Sequence, residues 1–207
     1  MAPPYVVEIA QITVTDAYKA DPNIVQEAVE FLKNANESSM AWAFKIRPSG
    51  GCLSNGKRLS TIKISNDKEL YPILRQRIRK FSSGVKLFHV DFIESPHIAF
   101  EAPYAELALW TLKSGHTTKE KKEHALELLK GVVTTLNGLP SDSGVFKGTV
   151  GPIVEEAENG VALTLGWTSP DATKKALETL PEAQVIIDEL KEIADLRLVH
   201  VPLTSAK

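Results

Sequence analysis

The sequence predicts an α+β protein made of two successive units, each with the element order β-α-β-β-α-β. The first observation is a strand motif of the form L-x-H-V-x-[F/L] that occurs twice. It reads Leu87-Phe88-His89-Val90-Asp91-Phe92 near the middle of the chain and Leu198-Val199-His200-Val201-Pro202-Leu203 near its end. The second observation is that strand-like and helix-like spacings of apolar residues follow in the same order in both halves. An internal repeat constrains the architecture before any single motif does.

The first half is predicted to contain four strands and two helices. Runs of apolar and β-branched residues indicate strands, and apolar residues three and four apart indicate helices. The strands are predicted at residues 6–14, 40–46, 59–64 and 87–93. The first helix is predicted to follow Asp21-Pro22, because proline is favoured at the first helical position. The second helix is predicted over residues 70–81.

The second half repeats this order. Its strands are predicted at residues 105–112, 144–150, 161–168 and 196–203. Thr117 and Glu120 resemble a capping box before the first helix. The second helix opens at Ser169-Pro170-Asp171, and Pro181 is predicted to interrupt it. Two such units are ferredoxin-like repeats, and the polar segment 94–103 is predicted to link repeat 1–97 to repeat 98–207.

Local matches between the halves indicate a duplication. Glu8-Ile9-Ala10 corresponds to Glu106-Leu107-Ala108, and a threonine follows three positions later in both. A ferredoxin-like unit carries helices on one face of its sheet only, so the other face must be solvated or covered. We therefore expect the two antiparallel sheets to pack into a pseudo-dimeric α+β barrel. Whether the repeats pair within one chain or between two chains of a homodimer is left open.

Composition narrows the possible functions. The chain has 207 residues, a formal net charge of −2 and 43% hydrophobic residues, which argues against a nucleic-acid partner. Cys52 is the only cysteine, so no intrachain disulfide is expected, and its Gly-rich surroundings suggest a passive loop thiol. No signal peptide and no membrane-spanning apolar run are seen. These features predict a cytoplasmic protein with no membrane partner.

The second half resembles a known superfamily. The segments that carry the resemblance are Gly144-Val145-Phe146-Lys147-Gly148, the apolar strand that ends in Trp167, and Leu180-Pro181-Glu182-Ala183-Gln184. They are similar to the antibiotic-biosynthesis-monooxygenase-like branch of the dimeric α+β barrel superfamily, and the first half resembles it more faintly. The superfamily includes cofactor-free monooxygenases, polyketide cyclases, haem-degrading enzymes, peroxidases and proteins of no known activity. The resemblance therefore specifies the fold better than the chemistry.

Alternation along the two motif strands suggests a catalytic pair. Successive residues of a strand point to opposite faces of the sheet. If the apolar residues that alternate with His89, Asp91 and His200 pack on the helices, these three side chains point into the barrel. Lys45 and Lys147 are predicted to share that side. A buried imidazole there is a candidate general base, oriented by Asp91 in the first repeat, while a lysine stabilises the resulting enolate. The alternative is that both histidines are hydrogen-bonded structural residues of the sheet.

Aromatic residues are the candidates for substrate binding. The resemblance implies that Trp167 lines a pocket, since it matches a pocket tryptophan of several cofactor-free monooxygenases. Tyr104 and Trp110 are further candidates, although core packing is an alternative for Trp110 and for Trp167. No cluster of side chains has metal-ligand spacing, so neither a metal nor another cofactor is expected. The chain also lacks the second-helix histidine that haem-degrading relatives use.

Two hypotheses follow from these residues. The first is a small-molecule enzyme of secondary metabolism that acts without a metal on an aromatic or polyketide-like substrate, as a monooxygenase or a cyclase. The cyclase mechanism is the less supported of the two, because Ala183 and Gln184 stand where that branch carries a histidine. The second is a non-catalytic α+β barrel that binds a small hydrophobic ligand or acts in stress responses.

Overall fold

A computed structural model describes residues 5–35, 42–43, 52–54, 69–155 and 159–203. Two compact units divide the chain, Val6–Phe88 and His89–Ser205. Each unit contains strands and helices in the alternating order that the sequence predicts.

The first unit is built on a four-stranded antiparallel sheet in the order β2-β3-β1-β4. Its strands are β1 (Tyr5–Val14), β2 (Trp42–Ala43), β3 (Cys52–Ser54) and β4 (Ser82–Phe92). Its helices are α1 (Asp16–Ala20), α2 (Gln26–Ala35) and α3 (Leu70–Arg79), and a 3-10 turn, Pro22–Val25, precedes α2. The Asp21 carboxylate accepts a hydrogen bond from the backbone N–H of Asn23 and caps that turn, as the Asp-Pro pair predicted.

The second unit has a sheet of the same form, in the order β6-β7-β5-β8. Its strands are β5 (Tyr104–Leu112), β6 (Thr149–Pro152), β7 (Gly160–Trp167) and β8 (Ala194–Pro202). Its helices are α4 (His97–Glu101), α5 (Lys119–Asn137), α6 (Pro170–Glu178) and α7 (Pro181–Ile193), with a 3-10 turn at Ser141–Ser143. Pro181 separates α6 from α7, as predicted.

The two sheets have equivalent strand orders, because in each unit the first strand lies between the third and the fourth. This is the ferredoxin-like arrangement, so the predicted α+β fold with two antiparallel sheets is confirmed. That the two units arose by duplication, and that their sheets pack together as a barrel, both stay predictions.

The core of the second unit lies between its sheet and its long helices. Ala108 and Trp110 of β5 face that core together with Leu163 and Leu165 of β7. The helices contribute apolar residues at helical spacing, namely Ala125, Leu129, Val132 and Leu136 from α5 and Ala172, Ala176, Ala183 and Leu190 from α6 and α7. The opposite face of the sheet is also buried, since Ala105 is 0% exposed and Thr164 is 0% exposed.

Within the second compact unit, which begins at His89 and so includes the last residues of β4, residues 89–94 pair with the region around β6 in a short antiparallel junction. The backbone N–H of Ile93 donates to the carbonyl of Val150 at 3.0 Å, and that of Val154 donates to the carbonyl of His89 at 2.9 Å. A bridge pairs Val90 with Ile153. At Gly151 the backbones approach so closely that a Cβ atom would overlap the Asp91 carbonyl. We call residues 89–94 and 149–155 the junction.

Three sequence predictions were wrong in detail. The segment 94–103 contains helix α4, because Ala99 and Phe100 are buried. The strand predicted at 144–150 begins only at Thr149, since Asn137 takes both backbone groups of Gly148 in hydrogen bonds of 2.8 and 3.1 Å. Helix α5 is capped by Thr118, whose hydroxyl accepts from the N–H of Lys121, and not by Thr117.

The stretch around Cys52 also departs from its prediction. Cys52 lies in strand β3 and is paired with Ala10 of β1, whereas the sequence suggested a loop. The predicted strands at residues 40–46 and 59–64 fall mostly or wholly outside the described residues, and only Trp42–Ala43 of the first is seen as a strand.

Candidate functional site

A buried polar cluster lies where β5 and β8 run side by side. Glu106 of β5 is directly opposite His200 of β8. Glu106 Oε2 lies 3.0 Å from His200 Nε2, and the Thr173 hydroxyl lies 2.9 Å from the same nitrogen and 3.1 Å from the same carboxylate oxygen. The Glu106 side chain is 7% exposed and that of His200 is 19% exposed. A buried carboxylate thus has an imidazole and a hydroxyl as partners.

Secondary structure places these three side chains on the helix side of the sheet. Thr173 lies in the first turn of α6 and faces the strands. Glu106 has the same strand parity as Ala108 and Trp110, which pack on the helices. The prediction that His200 points away from the helices is therefore wrong. The prediction assumed that the apolar residues that alternate with His200 face the helices. Both faces of this sheet are buried, so apolar residues occur on both and do not identify the helix side.

The hydrogen bonds around His200 bear on which nitrogen of its ring carries the proton. An ionised carboxylate only accepts hydrogen bonds, and a hydroxyl has one proton to donate. If the Thr173 hydroxyl donates to Glu106 Oε2, Nε2 of His200 must carry a proton to bind the same oxygen.

Two of the aromatic candidates lie on the same face near this cluster. Tyr104 is two residues before Glu106 in β5, and it pairs with Trp167 of β7 on one side and Pro202 on the other. Tyr104 is half-buried, whereas Trp167 is 1% exposed. The indole N–H of Trp167 has no hydrogen-bond partner among the described residues.

Trp110 lies apart from these residues. It is 2% exposed within the helix-packed core. It stands six residues beyond Tyr104 in the same strand, which separates the two by about 20 Å at roughly 3.3 Å per residue. The structure therefore does not bring Trp110 together with the other aromatic candidates.

A second histidine–glutamate pair lies in the junction. His89 Nδ1 is 2.5 Å from Glu155 Oε1, and the backbone N–H of His89 donates to Glu155 Oε2 at 2.8 Å. Partial burial raises the pKa of the Glu155 carboxyl, but the hydrogen bonds from His89 lower it by more, so that this pKa lies below the usual value for glutamate. The two side chains are 20% and 32% exposed.

Glu155 has the role that the sequence predicted for Asp91, that of the carboxylate bound to the His89 ring. In β4, Val90 and Phe92 are buried while His89 and Asp91 are half-buried. That His89 and Asp91 point into a barrel stays a prediction. The carboxylate bound to the His89 ring is nevertheless that of Glu155. A catalytic role for His89, Asp91 or His200 stays a prediction.

Lys147, the one lysine candidate within the described ranges, makes no hydrogen bond or ion pair with either cluster. Lys147 is exposed in the segment before β6, and Lys45 lies outside the described residues. Because His200 is on the helix side, the predicted grouping of His200 with Lys147 on one barrel wall is wrong.

Sequence reasoning missed three residues of these clusters. Glu106 was named only as part of the duplicated segment and not as a candidate site residue, yet its side chain is buried. Thr173 and Glu155 were not singled out. A signal for Thr173 was available, since it lies within the predicted helix start, but the register that pairs β5 with β8 was needed to place Glu106 beside His200.

In the part of the chain that the structure describes, no group of three or more His, Cys, Asp or Glu side chains is arranged to hold a metal ion. None of the described helices combines the length and apolar character needed to cross a membrane.

Comparison with known proteins identifies the fold. Neither the protein-family models nor the curated proteins gave a match to this sequence. A candidate monooxygenase from Fusobacterium nucleatum subsp. nucleatum ATCC 25586 superposes with a TM-score of 0.66 at 13% identity, covering 100% of this chain and 94% of that one. An anthrone oxidase-like protein gives 0.65 at 10% identity, covering 97% and 90%.

A candidate monooxygenase from Lactobacillus acidophilus NCFM gives a TM-score of 0.58 at 11% identity, covering 96% of this chain and 92% of that one. The chain shares its α+β fold, with two ferredoxin-like antiparallel sheets, with these proteins. The predicted resemblance is thus confirmed for the fold. At these identities the similarity extends to the fold alone, and the chemistry must come from the residues.

Proposed function

We propose that the protein is a small-molecule enzyme in which His200 and Glu106 act as a general-base pair on an enolisable aromatic or polyketide-like substrate. The observation that carries this proposal is the buried Glu106 carboxylate bound to a partly accessible imidazole, with Tyr104 and Trp167 on the same face.

In this mechanism the imidazole of His200 removes a proton from a carbon or oxygen acid of the substrate. Glu106 stabilises the resulting imidazolium through Nε2, and Thr173 holds the carboxylate in place. A positioned base of this type accelerates a reaction by about a hundredfold to ten-thousandfold. The enolate formed then reacts with dioxygen in a monooxygenase or with an electrophilic carbon of the same molecule in a cyclase.

The buried indole of Trp167 supports a ligand on this face. A buried donor without a partner costs about 1–3 kcal/mol, and a substrate carbonyl or hydroxyl oxygen would remove that cost. The similarity in fold to candidate monooxygenases and to an anthrone oxidase-like protein favours oxygenation over cyclisation. A role in secondary metabolism is proposed on the same basis.

One observation favours a second candidate, a barrel that binds a small hydrophobic ligand without catalysis. Trp167 belongs to the helix-packed core and is 1% exposed. A core that is already filled at this position leaves a ligand less access to the base.

Anthrone is a suitable probe, because its enolate reacts with dioxygen to give anthraquinone and water. We expect the protein to accelerate oxygen uptake and anthraquinone formation. His200→Gln is expected to lower the rate at least about a hundredfold, and Glu106→Gln is expected to lower it as well. Oxygen-electrode measurements and absorbance of the quinone report the rate.

His124→Gln is the matched control, since His124 pairs with Glu189 at 3.0 Å on the exposed surface. It should leave the rate unchanged. Turnover that survives in His200→Gln would refute the proposed base. Saturable binding of anthrone without turnover in the unmodified protein would favour the non-catalytic barrel.

A further inference from the structure

The two units carry oppositely charged helices at the same place in their order of elements. Helix α3 comes directly before the last strand of the first unit, and α7 comes directly before the last strand of the second. Within its bounds α3 has three arginines and no acidic residue. Helix α7 has four acidic residues and one lysine. The two helices therefore differ in the sign of their charge.

One side of α3 packs on the core of its unit and the other side faces solvent. Leu74 and Ile78 pack against the buried apolar residues of that unit. Arg75 and Arg79 are exposed, and they lie beside each other on the helix surface because they are four residues apart. Ile73 is 42% exposed and adds an accessible apolar side chain. The outer face of α3 is therefore basic and partly apolar.

The two exposed arginines differ from the other basic residues of this region. Arg77 donates to the carbonyl of Glu27 at 2.8 Å, and Lys80 pairs with the Glu27 carboxylate at 2.6 Å. Between residues of the described ranges, neither Arg75 nor Arg79 forms an ion pair. The charge of these two side chains is thus available to another molecule.

Helix α7 presents an apolar side chain surrounded by acidic ones. Val185 is 68% exposed, which is the largest exposure of any large apolar side chain among the described residues. With 3.6 residues per turn, all four acidic residues of the helix lie within about 60° of Val185 around the helix axis. They are Glu182, Asp188, Glu189 and Glu192. This face suits a partner that combines positive charge with an apolar side chain.

The acidic residues of α7 differ in their local partners. Asp188 binds Lys191 at 2.8 Å, and Glu189 lies 3.0 Å from a histidine of α5. Glu182 and Glu192 form no ion pair within the described ranges. Pairs on an exposed surface contribute little, so an incoming cation can replace the existing ones at small cost.

We propose that α3 of one copy of this chain binds α7 of a second copy. In this contact Arg75 and Arg79 lie against the acidic residues of α7, and Ile73 and Val185 lose contact with water. Charge complementarity selects a second copy as the occupant, because each copy presents one basic and one acidic helix and two like helices repel. The contact is separate from the polar cluster around Glu106, so it does not depend on the proposed function.

The size of these faces predicts a weak and reversible association. A helix of ten residues, as α3 is, is about 15 Å long and about 10 Å wide. One contact thus covers about 150 Å² on each side, well below the roughly 800 Å² per partner of a stable interface. The net charge of −2 adds little general repulsion between copies.

Sedimentation equilibrium at rising protein concentration tests the association. The weight-average mass should rise with concentration at about 0.01 M salt, where the Debye length is about 30 Å. It should rise less at about 1 M salt, where the Debye length is about 3 Å. A mass that stays constant up to about 1 mM protein at low salt would overturn the proposal.

Two charge-reversal variants locate the contact. Arg75→Glu/Arg79→Glu makes α3 acidic, and Glu182→Lys/Glu192→Lys reverses the net charge of α7. Each variant alone should self-associate at least about tenfold more weakly, because its two faces become alike. An equimolar mixture should associate again, since the acidic α7 of the first variant meets the unmodified α3 of the second. Retained self-association in either variant, or no association in the mixture, would overturn the proposal.

Lys119→Glu/Lys174→Glu is the matched control. It makes the same change in net charge as Arg75→Glu/Arg79→Glu, at exposed lysines of α5 and α6. Its self-association should equal that of the unmodified protein. An equal loss in this control would show that net charge, and not the α3–α7 contact, governs association, and would overturn the proposal.

Discussion

The two motif histidines occupy matching positions in β4 and β8, yet their rings are held in opposite ways. His200 is bound through Nε2 by Glu106, which comes from the adjacent strand of the same sheet. His89 is bound through Nδ1 by Glu155, which follows the junction strand after β6. A repeated strand motif therefore fixes where a histidine lies in the sheet but not which ring nitrogen a carboxylate binds. Residues outside the motif decide that.

The two histidine–glutamate pairs also differ in how far their carboxylates are exposed to solvent. The Glu106 side chain is 7% exposed and that of Glu155 is 32% exposed. A buried charge that loses its partner costs far more than a screened one. The two pairs should therefore differ in their contribution to stability, and three changes test that difference.

The largest effect is expected from Glu106→Ala. This change removes the buried carboxylate and leaves His200 and Thr173 without their shared partner. We expect the free energy of unfolding to fall by about 3 kcal/mol, measured by urea denaturation. Glu101→Ala, at the exposed His97–Glu101 pair, should change it little. Equal losses in the two variants would show that burial does not separate them.

An intermediate effect is expected from Gly151→Ala. The new Cβ atom would overlap the Asp91 carbonyl and must displace one strand of the junction. We expect a loss of about 1–3 kcal/mol, with shifts in the NMR signals of His89 and none in those of His200. Gly131→Ala is the control, because it sits in α5 with only ordinary contact to Ile186 and should stabilise the helix by about 0.5–1 kcal/mol. Shifts in the signals of both histidines would show that the cluster around His89 and the cluster around His200 are not structurally independent.

The smallest effect is expected from Glu155→Gln, and it depends on pH. The pKa of Glu155 is lowered in the folded protein. Its ionised form therefore stabilises the fold above the unfolded-state pKa, and that contribution disappears as the pH falls through the lowered pKa. We expect Glu155→Gln to lose less than about 1 kcal/mol near neutrality. The difference from the unmodified protein should shrink as the pH falls through that lowered pKa, and a difference that stays constant on acidification would contradict this assignment.

The sequence predicted the architecture better than the clusters, for physical reasons. Strands β5 and β7 were predicted almost to the residue, because their apolar runs end at clear turn residues. Helix α4 was missed because a five-residue helix carries no periodic signal. The Glu106–His200 contact depends on strand register, and both faces of that sheet are buried. The sequence contained no pattern that joins Glu155 to a histidine 66 positions earlier.

The junction also bears on how the chain acquires its structure during synthesis. Residues 89–94 leave the ribosome about 60 residues before their partners at 149–155. During that interval, the edge of β4 that pairs with residues 149–155 has no hydrogen-bonding partner. An unpaired strand edge is a template for incorrect pairing with other chains. Completion of β4 is thus tied to the translation of β6, and a ribosome that pauses between them would prolong the interval in which nascent chains can aggregate.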